Sequence, residues 1–436
     1  MFGKKKELKE CVVVDAVRIP IGRSGWKGME KKGMYADISA QDLLATAVET
    51  LAKRVQEKSS AFDTKEIDDM AVGCLSQVGE QAGNLGRIGV LAAGLPDEVA
   101  GWTIDRYCNA GLQAINSQAH AIMSGAGDIM IAAGVEHMTH YPMGTSMLVA
   151  QQAHLPVIMS KRLAKRPIFG VVMGAAAEMV AEKYKLTREE MDKFGVWSHQ
   201  KATKAMRDEA WYKKRVVPLE IEMPEYETKM VDGKEVKERK GMVKKRFDKD
   251  ETVRPQCLDD PAGSLAKIAK LEARFKKGGM VTAGNSSQIV DGAAACMLMS
   301  REKADKLGIK PMARIVSTAV AGHEPLIMLL GPIPAMKKAM ARAGGLTMKD
   351  IDIFEANEAF ASPVLAFCKE FDVAYDDPKI NPTGGAIALG HPIGASGVIY
   401  FTEMVWELMH TGKRYGMQTL CGGGGVGIAT IVERVS

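Results

Sequence analysis

No apolar run in this sequence approaches the roughly 20 residues that a membrane-spanning helix needs, so a helical membrane span is excluded. No secretion signal is expected either. Met1 to Glu10 is basic, but the apolar run Cys11 to Val14 that follows is too short for a signal core and reads as a strand. The expectation is an intracellular, cytoplasmic protein. Paired cysteines are also lacking. The seven cysteines, at 11, 74, 108, 257, 296, 368 and 421, are odd in number and scattered, with no CxxC pair and no Cys/His cluster at zinc spacing. A disulfide framework or structural zinc is therefore not expected, and reduced thiols are left free for chemistry. Charge of one sign is scarce: 58 basic against 53 acidic residues leave +5. That balance is too mild to argue for nucleic acid. It suits an anionic small ligand if the basic residues are focused near one site.

What is present fits a soluble globular protein, 46% hydrophobic and 25% charged over 436 residues. The length corresponds to about two to four domains. A sizeable core is available without disulfide or metal staples.

The most informative pattern is an internal repeat. Cys11 to Val14 reads as a strand, and so does Ala313 to Thr318. Helical segments follow each, Leu43 to Val55 and Pro334 to Ala343. Two similar phrases, Thr64 to Met70 and Thr347 to Ile353, then lead into strands, with Ile67 and Ile351 lying 284 positions apart. Gly111 and Gly397, 286 apart, each open a helix. One helix aligns Leu112, Ile115, Ala119 and Ile122 on a face; the other aligns Val398, Phe401, Val405 and Leu408. A strand ending in glycine follows each, Ile129 to Gly134 and Met417 to Gly422. Alternating strands and helices predict two similar α/β halves built on parallel sheets covered by helices. Between them, a helical stretch from Ala175 to Arg207 and a charged region from Lys229 to Lys249, broken by Gly233 and Gly241, predict an inserted loop domain with a solvated loop. The domains expected are 1–140 plus 251–305, an insert 141–250, and 306–436.

Five segments carry residues suited to chemistry. In Asp105-Arg106-Tyr107-Cys108-Asn109-Ala110-Gly111 a cysteine sits where a strand gives way to a helix. Backbone N–H groups and the helix dipole there favour a thiolate; a buried structural cysteine is the competing reading. Around His391 the glycines 384, 385, 390, 394 and 397 describe a tight loop that admits close ligand approach. Its histidine can deprotonate a thiol and then support an oxyanion, against the alternative of a glycine-rich turn with a surface histidine. Cys421 opens a run of four glycines at a strand end and offers a second acid/base. A nucleotide-binding loop competes there, although the run leads into a strand and not a helix. Asn357-Glu358-Ala359-Phe360 follows a strand, where ligands of parallel sheets bind; an ordinary helix cap is the alternative. Thr282 to Gln288, small and polar, suits a turn or a narrow channel. The repeat places Cys108 and the His391 loop at matching positions, each before its helix. Meeting halves would bring nucleophile, base and second thiol together.

These segments together resemble the thiolase family over nearly the whole chain. Supporting phrases are Gly79-Glu80-Gln81, Asn84 to Arg87, Gly134-Val135-Glu136-His137-Met138, Met173-Gly174 with Ala177-Glu178, and Gly331-Pro332-Ile333-Pro334-Ala335. The resemblance implies a five-layered α/β/α/β/α fold of two similar halves with a loop domain, built as homodimers or homotetramers. It implies Cys108 as nucleophile, His391 as base and oxyanion donor, Cys421 as second acid/base and Asn357 as holder of an oxyanion-hole water. The N–H groups of Cys108 and Gly423 match the other oxyanion hole. Ser287, Ala283, Met173, Ala359 and Phe360 match the pantetheine or acyl channel. Two departures stand out: Ala110 where the family has Ser, and Asp105 where it has Asn. Met328-Leu329-Leu330-Gly331 resembles the thiolase subunits of fatty-acid oxidation complexes, which implies association with a hydratase/dehydrogenase subunit. Those subunits commonly carry His where this chain has Asn357.

The activity implied is cleavage of 3-ketoacyl-CoA by free CoA, with acyl-CoA and CoA as ligands and neither a metal nor a redox cofactor. Synthesis of acetoacetyl-CoA from two acetyl-CoA is the alternative direction. A ketoacyl synthase on the same fold would need a second histidine in place of Cys421. A non-catalytic acyl-CoA-binding protein would not need the three reactive side chains.

Overall fold

A computed structural model of the chain describes residues 7–25, 33–155, 160–165, 172–231 and 234–435. Its strands, in chain order, are β1 (Cys11–Arg18), β2 (Gly22–Arg23), β3 (Asp69–Gly73), β4 (Ala100–Ile104), β5 (Ile129–His137), β6 (Leu219–Val231), β7 (Lys234–Phe247), β8 (Val290–Ser300), β9 (Ala313–Gly322), β10 (Ile353–Ala356), β11 (Tyr415–Gly422) and β12 (Val426–Arg434). The helices used below are α1 (Ala40–Lys58), α2 (Ala110–Ser124), α3 (Thr145–Gln152), α4 (Met173–Lys183), α5 (Arg188–Arg207), α6 (Pro332–Arg342), α7 (Ala361–Glu370) and α8 (Ser396–Thr411).

Ten of the strands form one hydrogen-bonded sheet, β4-β3-β5-β8-β1-β9-β12-β11-β10, with β2 on β8, and β6 and β7 pair separately. Its two halves repeat. In the first, β3 pairs β5 in parallel, and β5–β8 and β8–β1 are antiparallel. In the second, β10 pairs β11 in parallel, and β11–β12 and β12–β9 are antiparallel. The halves join through only two residue pairs, Val12 with Arg314 and Val13 with Ala313. The expected parallel sheets are thus mixed. Runs such as Cys11 to Val14 or Val290 to Ser300 are buried on both faces, and an all-apolar strand carries no mark of its direction.

Successive residues of a strand point to opposite faces, and this divides the apolar side chains into three cores. Val12, Val14, Ile131 and Met297 pack under α1 with Leu43, Leu44, Val48 and Leu51. Val13, Ala132, Leu298, Ile428 and Val432 face a middle core with Leu112 and Ile115 of α2 and Val398 and Phe401 of α8. Met417, Ala429 and Ile431 face an outer core with Met336 of α6 and Val364 of α7. Helix, half-sheet, helix pair, half-sheet and helix make five layers, with α2 and α8 at the centre.

Three local expectations change. The stretch Ala175 to Arg207 is two helices, α4 and α5, because Lys185 turns left-handed at φ 50° and Thr187 starts a new helix with a capping box to Glu190. The charged region is not loop but the β6–β7 hairpin. Leu219 and Met223 are buried in the α1 core, with Ile221 and Phe247 packed against it. Outward-facing Glu220 pairs Lys244 and Arg246, and Glu227 pairs Lys240. Exposed pairs of this kind contribute little each, so the anchored inner half holds the hairpin. Gly241 lies in β7 beside a register shift, and Gly233 lies outside the described residues. Strand β5 runs on past Gly134 to His137.

Candidate active site

Cys108 sits on the turn between β4 and α2. The Asp105 carboxylate accepts the Tyr107 N–H (2.7 Å), Tyr107 adopts φ 52°, and the Ala110 N–H donates back to the Tyr107 carbonyl (3.0 Å). Asp105 therefore holds the turn, and Ala110 is a fully buried first residue of the helix. The Cys108 side chain is buried among Leu75, Met138 and Ile393. Burial pushes its thiol well up, helped by Cys421, Glu136 and Asp105, against a hydrogen bond from its own N–H. The expected thiolate-favouring helix start is outweighed. A helix terminus contributes about 1 kcal/mol or less, under one pKa unit, whereas full burial moves a group by several. The resting Cys108 side chain is a neutral thiol.

Cys421 is the last residue but one of β11, opposite Gly427, and is buried, which pushes its thiol up to about 12. The two thiol-bearing turns touch. With its amide nitrogen turned toward β11, Asn109 donates to the carbonyls of Cys421 (3.0 Å) and Leu420 (3.1 Å). The ring of Tyr107 lies against Gly423, where an added β-carbon would sit 3.2 Å from Cδ1.

His391 follows Gly390, whose φ of 107° and closeness to Val290 exclude a side chain. The His391 N–H donates to the Gln288 carbonyl (3.0 Å). Its Nδ1 lies 2.6 Å from Ser396 Oγ, and that hydroxyl donates to the Pro392 carbonyl (3.2 Å). The hydroxyl has one proton, and a carbonyl can only accept. Both bonds are satisfied when Nδ1 carries the ring proton, which leaves Nε2 as a bare acceptor. Nε2 is buried and makes no hydrogen bond among the described residues. Burial lowers the imidazole to about 4, so the ring is a neutral base. Asn357, just past β10, is tied by its N–H to the Thr419 carbonyl (3.0 Å). Both atoms of its buried amide lack hydrogen bonds among the described residues. It does not cap α7, whose N-cap is Phe360. Buried polar groups are normally satisfied, so an orphaned amide and an orphaned ring nitrogen mark surfaces for a ligand.

The residues matched to the channel form a strip. The Ser287 N–H donates to the Ala359 carbonyl (3.0 Å), and Ser286 bridges Phe360. Phe360 meets Phe275 edge-on at 6.2 Å, and Phe275 lies over Gly174, next to Met173 at the start of α4. Ala283 is exposed on the turn just before, where the Asn285 N–H closes on Thr282.

Residues 11–302 match the thiolase N-terminal domain, and residues 309–434 match the thiolase C-terminal domain. The chain belongs to the thiolase family. This thiolase is 40% identical to the 3-ketoacyl-CoA thiolase of Marinobacter nauticus, over 98% of this chain and 99% of that protein. It is 37% identical to the steroid 3-ketoacyl-CoA thiolase FadA6 of Mycobacterium tuberculosis, over 99% and 96%. Among solved structures it matches the acetyl-CoA acetyltransferase of Bacillus anthracis with a TM-score of 0.81 and 33% identity, over 99% and 100% of the two chains.

Several side chains that shape the site of this thiolase are not assigned a role from sequence. Glu358 accepts from Ser198 Oγ (2.6 Å), Asn381 Nδ2 (2.7 Å) and the Ile387 N–H (3.1 Å). Asn381, at φ 42°, also grips Ala356 through both its N–H (2.7 Å) and carbonyl (2.9 Å). The Asn357 strand end and the loop leading to His391 are thereby clamped together. Lys201 of α5 donates to the Ile380 carbonyl (2.7 Å) beneath this clamp, and burial lowers its amine to about 8. Glu358 does lie inside a quoted motif, and Asn381 stands three residues before the first glycine of the His391 loop. Ser198 and Lys201, on a helix far away in sequence, carry no local signal.

Proposed function

We propose that this thiolase cleaves 3-ketoacyl-CoA with free CoA, giving acetyl-CoA and a shortened acyl-CoA through a thioester on Cys108. The observation that carries the reading is that the turns bearing two buried neutral thiols touch, while the loop bearing an imidazole with a bare Nε2 packs its Ile393 against Cys108. Relatives named 3-ketoacyl-CoA thiolase at 37–40% identity support the substrate class.

His391 Nε2 takes the Cys108 proton as sulfur attacks the 3-keto carbon. A helix start cannot hold a free thiolate against this burial, so proton transfer accompanies attack. The bond between C2 and C3 then breaks, leaving the acyl group on Cys108 and an acetyl-CoA enolate, which Cys421 protonates at carbon. Free CoA gives its thiol proton to Cys421 and attacks the thioester; the Cys108 sulfur is expelled and takes its proton back from His391, and the shortened acyl-CoA leaves. Developing oxyanions fall to two donor sets: protonated His391 with a water held by Asn357, and the N–H groups of Cys108 and Gly423. Preorganised donors of this kind contribute about 10²–10³ in rate each. Ser287, Ala283, Met173, Ala359 and Phe360 line the approach of the pantetheine arm.

The same steps in reverse condense two acetyl-CoA, the reading that the acetyl-CoA acetyltransferase neighbour favours. We also read the chain as three parts, 1–140 plus 251–305, 141–250 and 306–436. We read it as a cytoplasmic homodimer or homotetramer serving fatty-acid oxidation, its CoA a substrate and not a cofactor. Strand β4 ends the sheet path with its residues no more than half-buried, an edge suited to a second copy. All seven cysteines are free and buried, as a reducing compartment allows.

Thiolysis of acetoacetyl-CoA against longer and bulkier 3-ketoacyl-CoAs, compared by kcat/KM, tests the assignment. Preference for longer or bulkier chains supports degradation. Activity confined to acetoacetyl-CoA supports the biosynthetic direction, and no activity on any of them removes the reading.

A further inference from the structure

Glu136 lies on β5, fully buried, with a role that nothing above requires. Its Oε2 accepts the N–H groups of Leu75 (2.9 Å) and Gly394 (2.8 Å). Its Oε1 accepts the Ser76 N–H (2.9 Å), with Gln81 Nε2 at 3.5 Å. Every one of these neighbours is a donor. Burial pushes the carboxyl up and these donors pull it back down; a proton on either oxygen would compete with them, so the donor set favours the carboxylate. No Lys or Arg is among its hydrogen-bond partners in the described residues, so the charge is held by neutral dipoles, chiefly of the backbone. The three segments it ties together carry Leu75, Met138 and Ile393, the side chains that enclose the Cys108 thiol. Gly394 comes so close that an added β-carbon would lie 2.8 Å from Glu136 Oε2 and 2.6 Å from Cys74 Cα. The titratable groups facing this carboxylate are the thiols of Cys74 and Cys108; Asp105 and Cys421 face Cys108 from other sides.

We propose that Glu136 is a positioning residue for acyl transfer: it straps the His391 loop onto the Cys108 pocket, and its fixed negative charge keeps the nucleophile protonated until His391 takes the proton. The strap and the charge act in opposite senses when tested. Loss of the strap lets the His391 loop drift, which slows transfer. Loss of the charge makes the Cys108 thiolate easier to form. A merely structural residue would not couple slower turnover to a more reactive thiol. The direction of the burial and charge effects on Cys108 agrees with this assignment.

The proposal rests on the thiolase reading, and the test separates the two. Full-length wild type, Glu136→Gln and Glu136→Asp are alkylated with iodoacetamide between pH 7 and 9, with Cys108 followed by peptide mapping, and thiolysis kcat is measured in parallel. In Glu136→Gln the Cys108 alkylation rate should rise about three- to tenfold, equivalent to half to one pKa unit. Glu136→Asp keeps the charge but falls short of Gly394, so its alkylation should stay at the wild-type rate. In both variants kcat should fall about 30-fold or more, with KM nearly unchanged, as misplacement of reacting groups does. Equal alkylation changes in the two variants would overturn the role of the charge. A kcat for Glu136→Asp within about twofold of wild type would overturn the strap, and that variant decides if Glu136→Gln fails to fold. A wild type without thiolysis would sink the thiolase reading, while the alkylation comparison would still decide the charge.

Discussion

Gly111 and Gly397 meet where the two central helices begin: a β-carbon on Gly397 would lie 2.0 Å from the Leu112 nitrogen, and one on Gly111 2.7 Å from the Gly394 carbonyl oxygen. The contact sets the Cys108 turn and the His391 loop against each other, because each leads into the first turn of one of those helices. Gly397→Ala should cost about 1–3 kcal/mol or more through overpacking, and should lower kcat more than it changes KM. Urea denaturation midpoints with steady-state kinetics check this. Wild-type stability and turnover in the variant would mean that the helices can separate freely.

The orphaned amide of Asn357 gives a different signature. A buried polar group without a partner costs about 1–3 kcal/mol, so Asn357→Ala should leave stability unchanged or slightly raised. Its thiolysis kcat should nevertheless fall about 10²–10³-fold, as when an oxyanion donor is lost. Thermal denaturation beside kcat separates the two effects. A variant that loses stability while keeping its rate would make Asn357 structural.

His391 ties stability to pH. Its folded pKa of about 4 lies below the ordinary 6.5, so between those values the unfolded chain binds a proton that the folded site refuses. Stability contributed through this group is therefore intact above pH 6.5 and lost as pH falls toward 4, by about 3 kcal/mol in all. Replacing it by Asn should remove that acid-linked loss. Urea unfolding of both proteins at pH 7.5 and 4.5 should show their stability difference moving in favour of the variant at low pH. A difference that does not change with pH would place the imidazole in water.

The clamp between Glu358 and Asn381 should be costly to open. Glu358→Ala strands Ser198, Asn381 and the Ile387 N–H together, three buried donors without an acceptor. Loss of about 3–5 kcal/mol is expected, from the removal of a buried charged acceptor and the donors left behind. Chemical denaturation measures it, and a loss under about 1 kcal/mol would show that water enters and replaces the carboxylate.

The repeat was legible because each half spends the same lengths on strand, helix and strand, which kept Ile67 and Ile351, and then Gly111 and Gly397, at nearly one spacing. Cys108, His391, Cys421 and Asn357 stood out because reactive side chains sat among small residues at element ends. Strand direction was not legible, since Val290 to Ser300 is buried on both faces and mostly apolar. The β6–β7 hairpin was masked by its charges, which pair across the strands while Leu219, Met223 and Phe247 anchor it. The break at Lys185 did leave a trace, the Thr187–Glu190 capping box. Glu136 and Asn109 act by meeting backbone groups from remote segments, and no local spacing records such meetings.

The central claim is that Cys108 carries the acyl group. Enzyme mixed with acetyl-CoA or a 3-ketoacyl-CoA, quenched in acid and mapped by peptide mass spectrometry, addresses it directly. An acyl group on the peptide containing Cys108, absent in Cys108→Ala and still formed from acetyl-CoA in Cys421→Ala, is the expected result. An acyl group on Cys421, or turnover that survives Cys108→Ala, would contradict it.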